Sequence, residues 1–198
     1  MPQVCFKDID KIRDTEFYFW HIEEDCDELS RLIDDNSMLL TEAQAKFKSV
    51  TRQREWLATR ALLLQTPYKG DTIFYHTNGQ PYLEKRYISI SHTRDFVAIA
   101  ISESPIGIDI EHKGRNAQGV AGGFLQQQEL DNITAEEALN LWIIKEAAFK
   151  YAPEKAATLK DIRAVKNDIA YSITYPDGST AKCFILSLGD ILLSYCRV

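Results

Sequence analysis

Residues 106–111 read Ile106-Gly107-Ile108-Asp109-Ile110-Glu111, and the rest of the chain is organised around them. Side chains alternate between the two faces of a strand. Ile106, Ile108 and Ile110 are therefore predicted to enter a core while Asp109 and Glu111 emerge together on the other face. Two acids at that spacing, about 7 Å apart along a strand, can converge on one hard cation. A half-buried strand with a solvated acidic face explains the same pattern, so the flanking chain decides between the two readings.

The 198 residues suffice for one generous domain or for two small halves with a joint core. With 45% apolar and 26% charged residues, the composition is that of an ordinary globular protein. No apolar run is as long as a membrane span, and the polar, acidic N-terminus lacks a signal-peptide pattern, so a cytoplasmic protein is expected. Cys5, Cys26, Cys183 and Cys196 are scattered with no C-x-x-C pair. They read as reduced thiols rather than a disulfide frame or a zinc site. A net charge of −6 argues against a nucleic-acid partner, and it requires that an anionic ligand be met by local positive charge or a metal.

Val4-Cys5-Phe6 and Phe17 to Ile22 are predicted strands, and residues 24–34 a helix. Thr41, with Gln44 three residues on, carries a capping-box signature for a long helix running to Gln65, with a break near Ser49-Val50. Beyond Pro67 and Gly70 the period changes to two. Asn78-Gly79 is the turn of one hairpin, and Thr93-Arg94-Asp95 joins Tyr87–His92 to Phe96–Ser102 in another. Residues 112–123, with four glycines, read as a flexible loop. Helices are expected from Phe124 to Asn132 and, capped by Thr134 and Glu137, from Thr134 to Lys150. Strands return from Ile162, with a turn at Pro176-Asp177-Gly178. A helix followed by hairpin strands thus occurs twice, which divides the chain into possible halves, 1–102 and 103–198, with a site in the cleft between them.

Trp142, Glu146 and Lys150 recur every four residues and share one helical face. Glu before Lys at that spacing is commonly a surface pair. In the functional reading, Glu146 adds a third carboxylate to Asp109 and Glu111, suited to Mg²⁺ bridging phosphate oxygens, with Lys150 one turn on. Ser89 and Ser91 share a strand face that ends at His92, a structural hydrogen-bonding group or a phosphate contact. Lys46, Lys48, Arg52, Arg54 and Arg60 form the densest positive region, either a solvated basic face or an anion site.

With these residues in order, the chain resembles the 4′-phosphopantetheinyl transferases of the surfactin-synthetase-activating type. The resemblance is carried by Ser89-Ile90-Ser91-His92, by Ile106 to Glu111, and by Trp142-Ile-Ile-Lys-Glu-Ala-Ala-Phe-Lys150. Arg54-Glu55-Trp56-Leu57-Ala58 with Arg60, the Asn78-Gly79-Gln80-Pro81 turn, and Phe124-Leu125 with Glu129 support it. The matches span about residues 45–150.

The resemblance implies an α+β fold of two similar halves, each a helix packed on a small, mostly antiparallel sheet, related by a pseudo-twofold axis. It implies transfer of the 4′-phosphopantetheine arm of coenzyme A to a serine of an apo carrier protein of fatty-acid, polyketide or peptide synthetase type. The transfer would be Mg²⁺-dependent, release adenosine 3′,5′-bisphosphate, and need only a monomer. Asp109, Glu111 and Glu146 would ligate Mg²⁺, with Glu146 also the base. Ser91 and His92 would contact the 3′-phosphate region, Lys150 the pyrophosphate, and Arg54 and Lys46 the adenosine phosphate. Gln80 departs from the Lys or Arg frequent at its position and removes one cation. A non-catalytic coenzyme A- or carrier-binding module of the same fold, and a phosphohydrolase using the same acids, are the alternatives.

Overall fold

Among the described residues, two larger antiparallel sheets and a two-stranded ladder, with helices packed outside the larger ones, make a mixed α+β fold. The computed structural model describes residues 11, 12, 14–33 and 38–197, so the strand expected at Val4-Cys5-Phe6 lies outside the described residues. The chain enters through β1 (Lys11–Ile12) and β2 (Thr15–His21), then forms α1 (Cys26–Ile33), α2 (Met38–Lys46) and α3 (Val50–Leu64). Thr41 is not a cap, because α2 already begins at Met38. The break falls just before α3, where the Ser49 hydroxyl accepts from Arg52 N and starts a new helix.

A short ladder, β3 (Phe74–Tyr75) with β4 (Pro81–Tyr82), follows. Gly79, at the turn between them, has a φ of 85°, which only glycine adopts without strain. The next hairpin is β5 (Tyr87–Thr93) and β6 (Phe96–Ser102). Thr93 belongs to the strand rather than to the turn and pairs with Phe96 across it.

The remaining elements are β7 (Gly107–His112), α4 (Gln127–Leu130), α5 (Ala135–Tyr151), β8 (Arg163–Asn167), β9 (Ala170–Thr174), β10 (Thr180–Leu188) and β11 (Ile191–Arg197). The helix expected over 124–132 shrinks to α4, and part of the glycine-bearing loop, Gln118–Gly123, is 3₁₀. Thr134 caps α5 through the predicted box with Glu137.

The first sheet runs β1-β2-β6-β5 and the second β7-β11-β10-β9-β8. Alternation along each strand sorts the core. Trp20, Val97, Ile99 and Ile101 pack with Trp56, Leu57 and Ala61 of α3, while Phe17, Phe19, Ala98 and Ala100 meet Ile108, Ile110, Leu193 and Tyr195 of the second sheet. On the far side of that sheet, Ile144, Ala147 and Ala148 of α5 pack on Ile173, Cys183 and Cys196. Cys26, Cys183 and Cys196 are free thiols.

Gly107 sets the distance between β7 and α5. A Cβ there would collide with the Ala147 carbonyl and the Tyr151 backbone nitrogen, and would lie 2.8 Å from Tyr151 Cα. This close approach brings the start of β7 against the last turns of α5. Among the described residues no helix is long and apolar enough to cross a membrane.

Candidate functional site

Three isoleucines of the opening motif are buried as their alternation predicts, but the acids do not face solvent. Asp109 and Glu111 are each only 5% exposed. The reason is β5, whose hydroxyls run alongside β7 at the same period of two. Ser89 Oγ accepts from Ile108 N at 2.9 Å and Ser91 Oγ from Ile110 N at 3.1 Å, so side chains of one sheet satisfy the backbone edge of the other. Ser91 Oγ then donates to Asp109 Oδ1, and Thr93 Oγ1 to Glu111 Oε2, both at 2.7 Å.

Each acid also has a cation. Lys150 Nζ stands 2.7 Å from Asp109 Oδ1 and 3.3 Å from Ser91 Oγ. Arg115 binds Glu111 Oε1, which also accepts from Trp142 Nε1 at 3.3 Å, and the Arg115 guanidinium lies 4.5 Å from the Trp142 ring centre. Glu146, on the same α5 face as Trp142 and Lys150, makes no hydrogen bond among the described residues. Asp109 Oδ2 is buried and equally unpartnered.

These side chains, with His92, Arg52 and Glu55, line a cavity of about 910 Å³. A second cavity, of about 370 Å³, shares Arg52, Glu55, Ile90, His92 and Lys150 with it and adds Phe47, Trp56, Tyr75, Gln80, Pro81 and Phe149. The pair offers a polar chamber beside a more apolar one that carries the rings of Phe47, Trp56, Tyr75 and Phe149, the shape of a ligand with a charged and a flat end. Lys46 lines neither cavity; its ammonium lies 4.8 Å from the ring centre of Tyr75 and 5.9 Å from that of Trp56, both residues of the second one.

Electrostatics follow from burial. Desolvation pushes the Glu146 carboxyl above its ordinary value, and Asp109 nearby pushes it further, against the pull of Lys150 and Arg115. Glu111 is likewise raised by burial, although the Thr93 hydrogen bond opposes the rise. Burial lowers His92, and Glu55 draws it back up while Arg52 and Lys150 push it down.

No family model matches the chain. A 4′-phosphopantetheinyl transferase of Bacillus subtilis does. It is 31% identical over 119 residues, covering 54% of this chain and 53% of the relative. The chain spans about half the length of that curated relative. The likeness supports the phosphopantetheinyl transferase superfamily for this chain.

Against the sequence expectations, Asp109, Glu111, Glu146, Lys150, Ser91 and His92 line one cavity. Among the described residues, however, no three His, Cys, Asp or Glu side chains are disposed to hold a metal, and Lys150 and Arg115 are paired with Asp109 and Glu111. The donor chemistry nonetheless fits a hard divalent ion: oxygen ligands, one of them orphaned, and two carboxyls, Glu111 and Glu146, raised by burial and then by the charge of Asp109.

Arg54 lines neither cavity. Its guanidinium donates to Glu24 O and Ile22 O, both at 2.6 Å, and ties α3 to the end of β2. Arg52, two residues earlier, takes the cavity wall, because residues two apart on a helix point about 200° apart. Ser91 is engaged by Asp109, Ile110 N and Lys150 and so orients the acid strand.

Glu55, Thr93 and Arg115 line the cavity without a site role in the sequence expectations, and Arg52 was expected there only as one of the basic cluster. Three of these four carried a signal. Thr93 extends the Ser89, Ser91 alternation by two, and Arg52 and Glu55 share with Trp56 and Thr59 the i, i+3, i+4, i+7 face of α3. Arg115 follows β7 in a loop, where no period applies.

Proposed function

We propose that this chain transfers the 4′-phosphopantetheine arm of coenzyme A to a serine of an apo carrier protein and releases adenosine 3′,5′-bisphosphate. The observation that carries the reading is the convergence of Asp109, Glu111, Glu146 and Lys150 on a polar cavity that adjoins, at His92 and Arg52, a more apolar one. A pyrophosphate seated in the first and an adenosine in the second would span the two. The similarity to a phosphopantetheinyl transferase over half the chain supports the same reaction class.

In this reading Asp109, Glu111 and Glu146 would hold Mg²⁺, and Lys150 and Arg115 would shift from the acids toward phosphate oxygens. The ion, when bound, supplies charge neutralisation at the pyrophosphate. Lys150, on the wall common to both cavities, meets the same developing charge on the leaving bisphosphate. Glu146 removes the proton of the incoming serine hydroxyl. Burial and Asp109 raise its proton affinity, which is what a carboxylate base needs near neutral pH. The carrier's serine is the nucleophile, so the chain itself needs none. Thr93 and Ser91 hold the acid strand in register while this happens.

The finer reading takes residues 1–102 and 103–198 as similar halves about a pseudo-twofold axis with the cleft internal to one chain, so a cytoplasmic monomer suffices. Carriers of fatty-acid, polyketide or peptide synthetase type are the partners. The test is mass spectrometry of a panel of apo carriers incubated with the protein, coenzyme A and Mg²⁺. Gain of the arm's mass on one carrier, abolished by Asp109→Asn, is expected. No gain on any carrier with folded protein overturns the reading.

A further inference from the structure

We propose that Glu55 is the positioning residue of the anion subsite: its buried carboxylate holds Arg52 and His92 side by side, so that both address one phosphate of the bound coenzyme. The inference rests on the reading above and extends it to a residue that touches no substrate. Glu55 Oε2 lies 3.1 Å from Arg52 Nη1 and Oε1 lies 3.4 Å from His92 Nδ1, while Arg52 Nη1 lies 2.8 Å from His92 Nε2. A guanidinium only donates, so His92 Nε2 accepts and the ring proton sits on Nδ1, facing Glu55. One carboxylate thereby fixes two side chains and one tautomer.

The exposures give the cluster a front and a back. The Glu55 side chain is 10% exposed, against 57% for Arg52 and 33% for His92. Burying a carboxylate costs stability unless it is paired and hydrogen-bonded. Among the described residues its partners are Arg52 and His92 alone, and all three lie on the wall shared by the two cavities. The acid therefore serves the wall rather than the core.

An arriving phosphate draws Arg52 off the ring. His92 Nε2 is then free to take a proton from solvent and become a second donor, with Glu55 balancing the imidazolium through Nδ1–H. The groups facing His92 are Glu55 and Arg52 from α3 and Lys150 from α5. Of these only Glu55 favours the protonated ring. Before binding, Glu55 and Arg52 cancel beside a neutral ring. After it, the cluster presents one net positive charge, and the proton is taken up from the buffer.

The experiment is calorimetric titration of the full chain with coenzyme A and with 3′-dephospho-coenzyme A, near pH 7, in two buffers of different ionisation enthalpy. The wild type is expected to bind coenzyme A about tenfold more tightly than the dephospho form, the yield of one charge-assisted contact, with net proton uptake. Glu55→Gln, isosteric and checked for an unchanged melting curve, is expected to lose most of that preference and the proton uptake. It should bind the dephospho form within about twofold of wild type. Glu55→Asp should restore part of both. Adding Glu55→Gln to Arg52→Gln should cost little more than Arg52→Gln alone, because the two act as a unit.

A Glu55→Gln protein that discriminates and takes up protons like wild type, or losses in the two variants that simply add, overturns the role of Glu55 alone. Wild type binding both forms equally does the same. Wild type binding neither form overturns the phosphopantetheinyl transfer reading and this inference with it.

Discussion

The ammonium of Lys150 lies 2.7 Å from Asp109 Oδ1. If Asp109 holds an ion as proposed, lysine and metal are rivals for that carboxylate. Lys150→Met should leave the Asp109 charge buried with the Ser91 hydroxyl but no cation beside it, lowering stability in metal-free buffer by about 3 kcal/mol. With its competitor removed, Asp109 should take Mg²⁺ about fivefold to tenfold more tightly, and the ion should recover part of the lost melting temperature. Calorimetry and melting curves with Mg²⁺ alone check both halves. Equal Mg²⁺ affinity in the two proteins would show that Lys150 and the ion do not meet at Asp109.

Glu146 and Glu111 both hold protons more readily folded than unfolded, above an ordinary value of 4.5. A raised folded value contributes stability that is fully present below the unfolded value and is lost as pH rises through the folded one. Once ionised, these acids therefore weaken the fold, as residues kept for chemistry do. Glu146→Gln should raise the melting temperature by about 2–4 °C at pH 7.5, consistent with roughly 1 kcal/mol in a chain of this size, and reduce carrier modification at least about 100-fold. The stabilisation should shrink as pH falls through the raised folded value of Glu146, below which the wild-type glutamate is itself neutral in the fold. A stabilisation that grows on acidification contradicts the sign.

Gly107 has no room for a side chain against Ala147 and Tyr151. Since the obstruction is helix backbone, it cannot rotate away, and Gly107→Ala must push α5 from β7. A loss of about 3 kcal/mol is expected, with a drop in activity larger than the stability loss explains, because Glu146 and Lys150 ride on the displaced helix. Chemical denaturation with turnover measured well below the melting point separates the two effects. An alanine variant of wild-type stability would mean that the helix approach is looser than described.

What could be read from the chain divides along physical lines. Period-two runs announced β5, β6 and β7, and the Thr134–Glu137 box announced α5, because those signals are local. The burial of Asp109 and Glu111 was not readable. It comes from a neighbouring sheet whose serine and threonine hydroxyls arrive from 18 residues away, and no window along the strand contains them. The choice of Arg52 over Arg54 was within reach, since helical geometry alone separates their faces. Motif spacing fixed attention on the arginine beside Glu55-Trp56 instead. Thr41 misled for a different reason: Met38-Leu39-Leu40 continues the helix upstream of a residue pair that otherwise looks like a start.

Lys145 shows how the α4 segment is held, and it yields a test independent of chemistry. The side chain is fully buried, and its ammonium donates to Glu129 Oε2 at 2.8 Å and Phe124 O at 3.2 Å. The same Glu129 oxygen accepts from Gln126 N at 2.7 Å, so one carboxylate both caps α4 and neutralises α5's buried lysine. Glu129→Ala removes both roles and leaves a charge stranded. It should cost about 3 kcal/mol, lowering the melting temperature by roughly 6–12 °C. In a Lys145→Met background no charge is stranded, and Glu129→Ala should then cost only the cap, about 1 kcal/mol. The difference between the two backgrounds, read from denaturant melts of the four proteins, measures the buried pair. A Glu129→Ala cost that is the same in both backgrounds would assign the residue to capping alone and leave Lys145 satisfied by the Phe124 carbonyl.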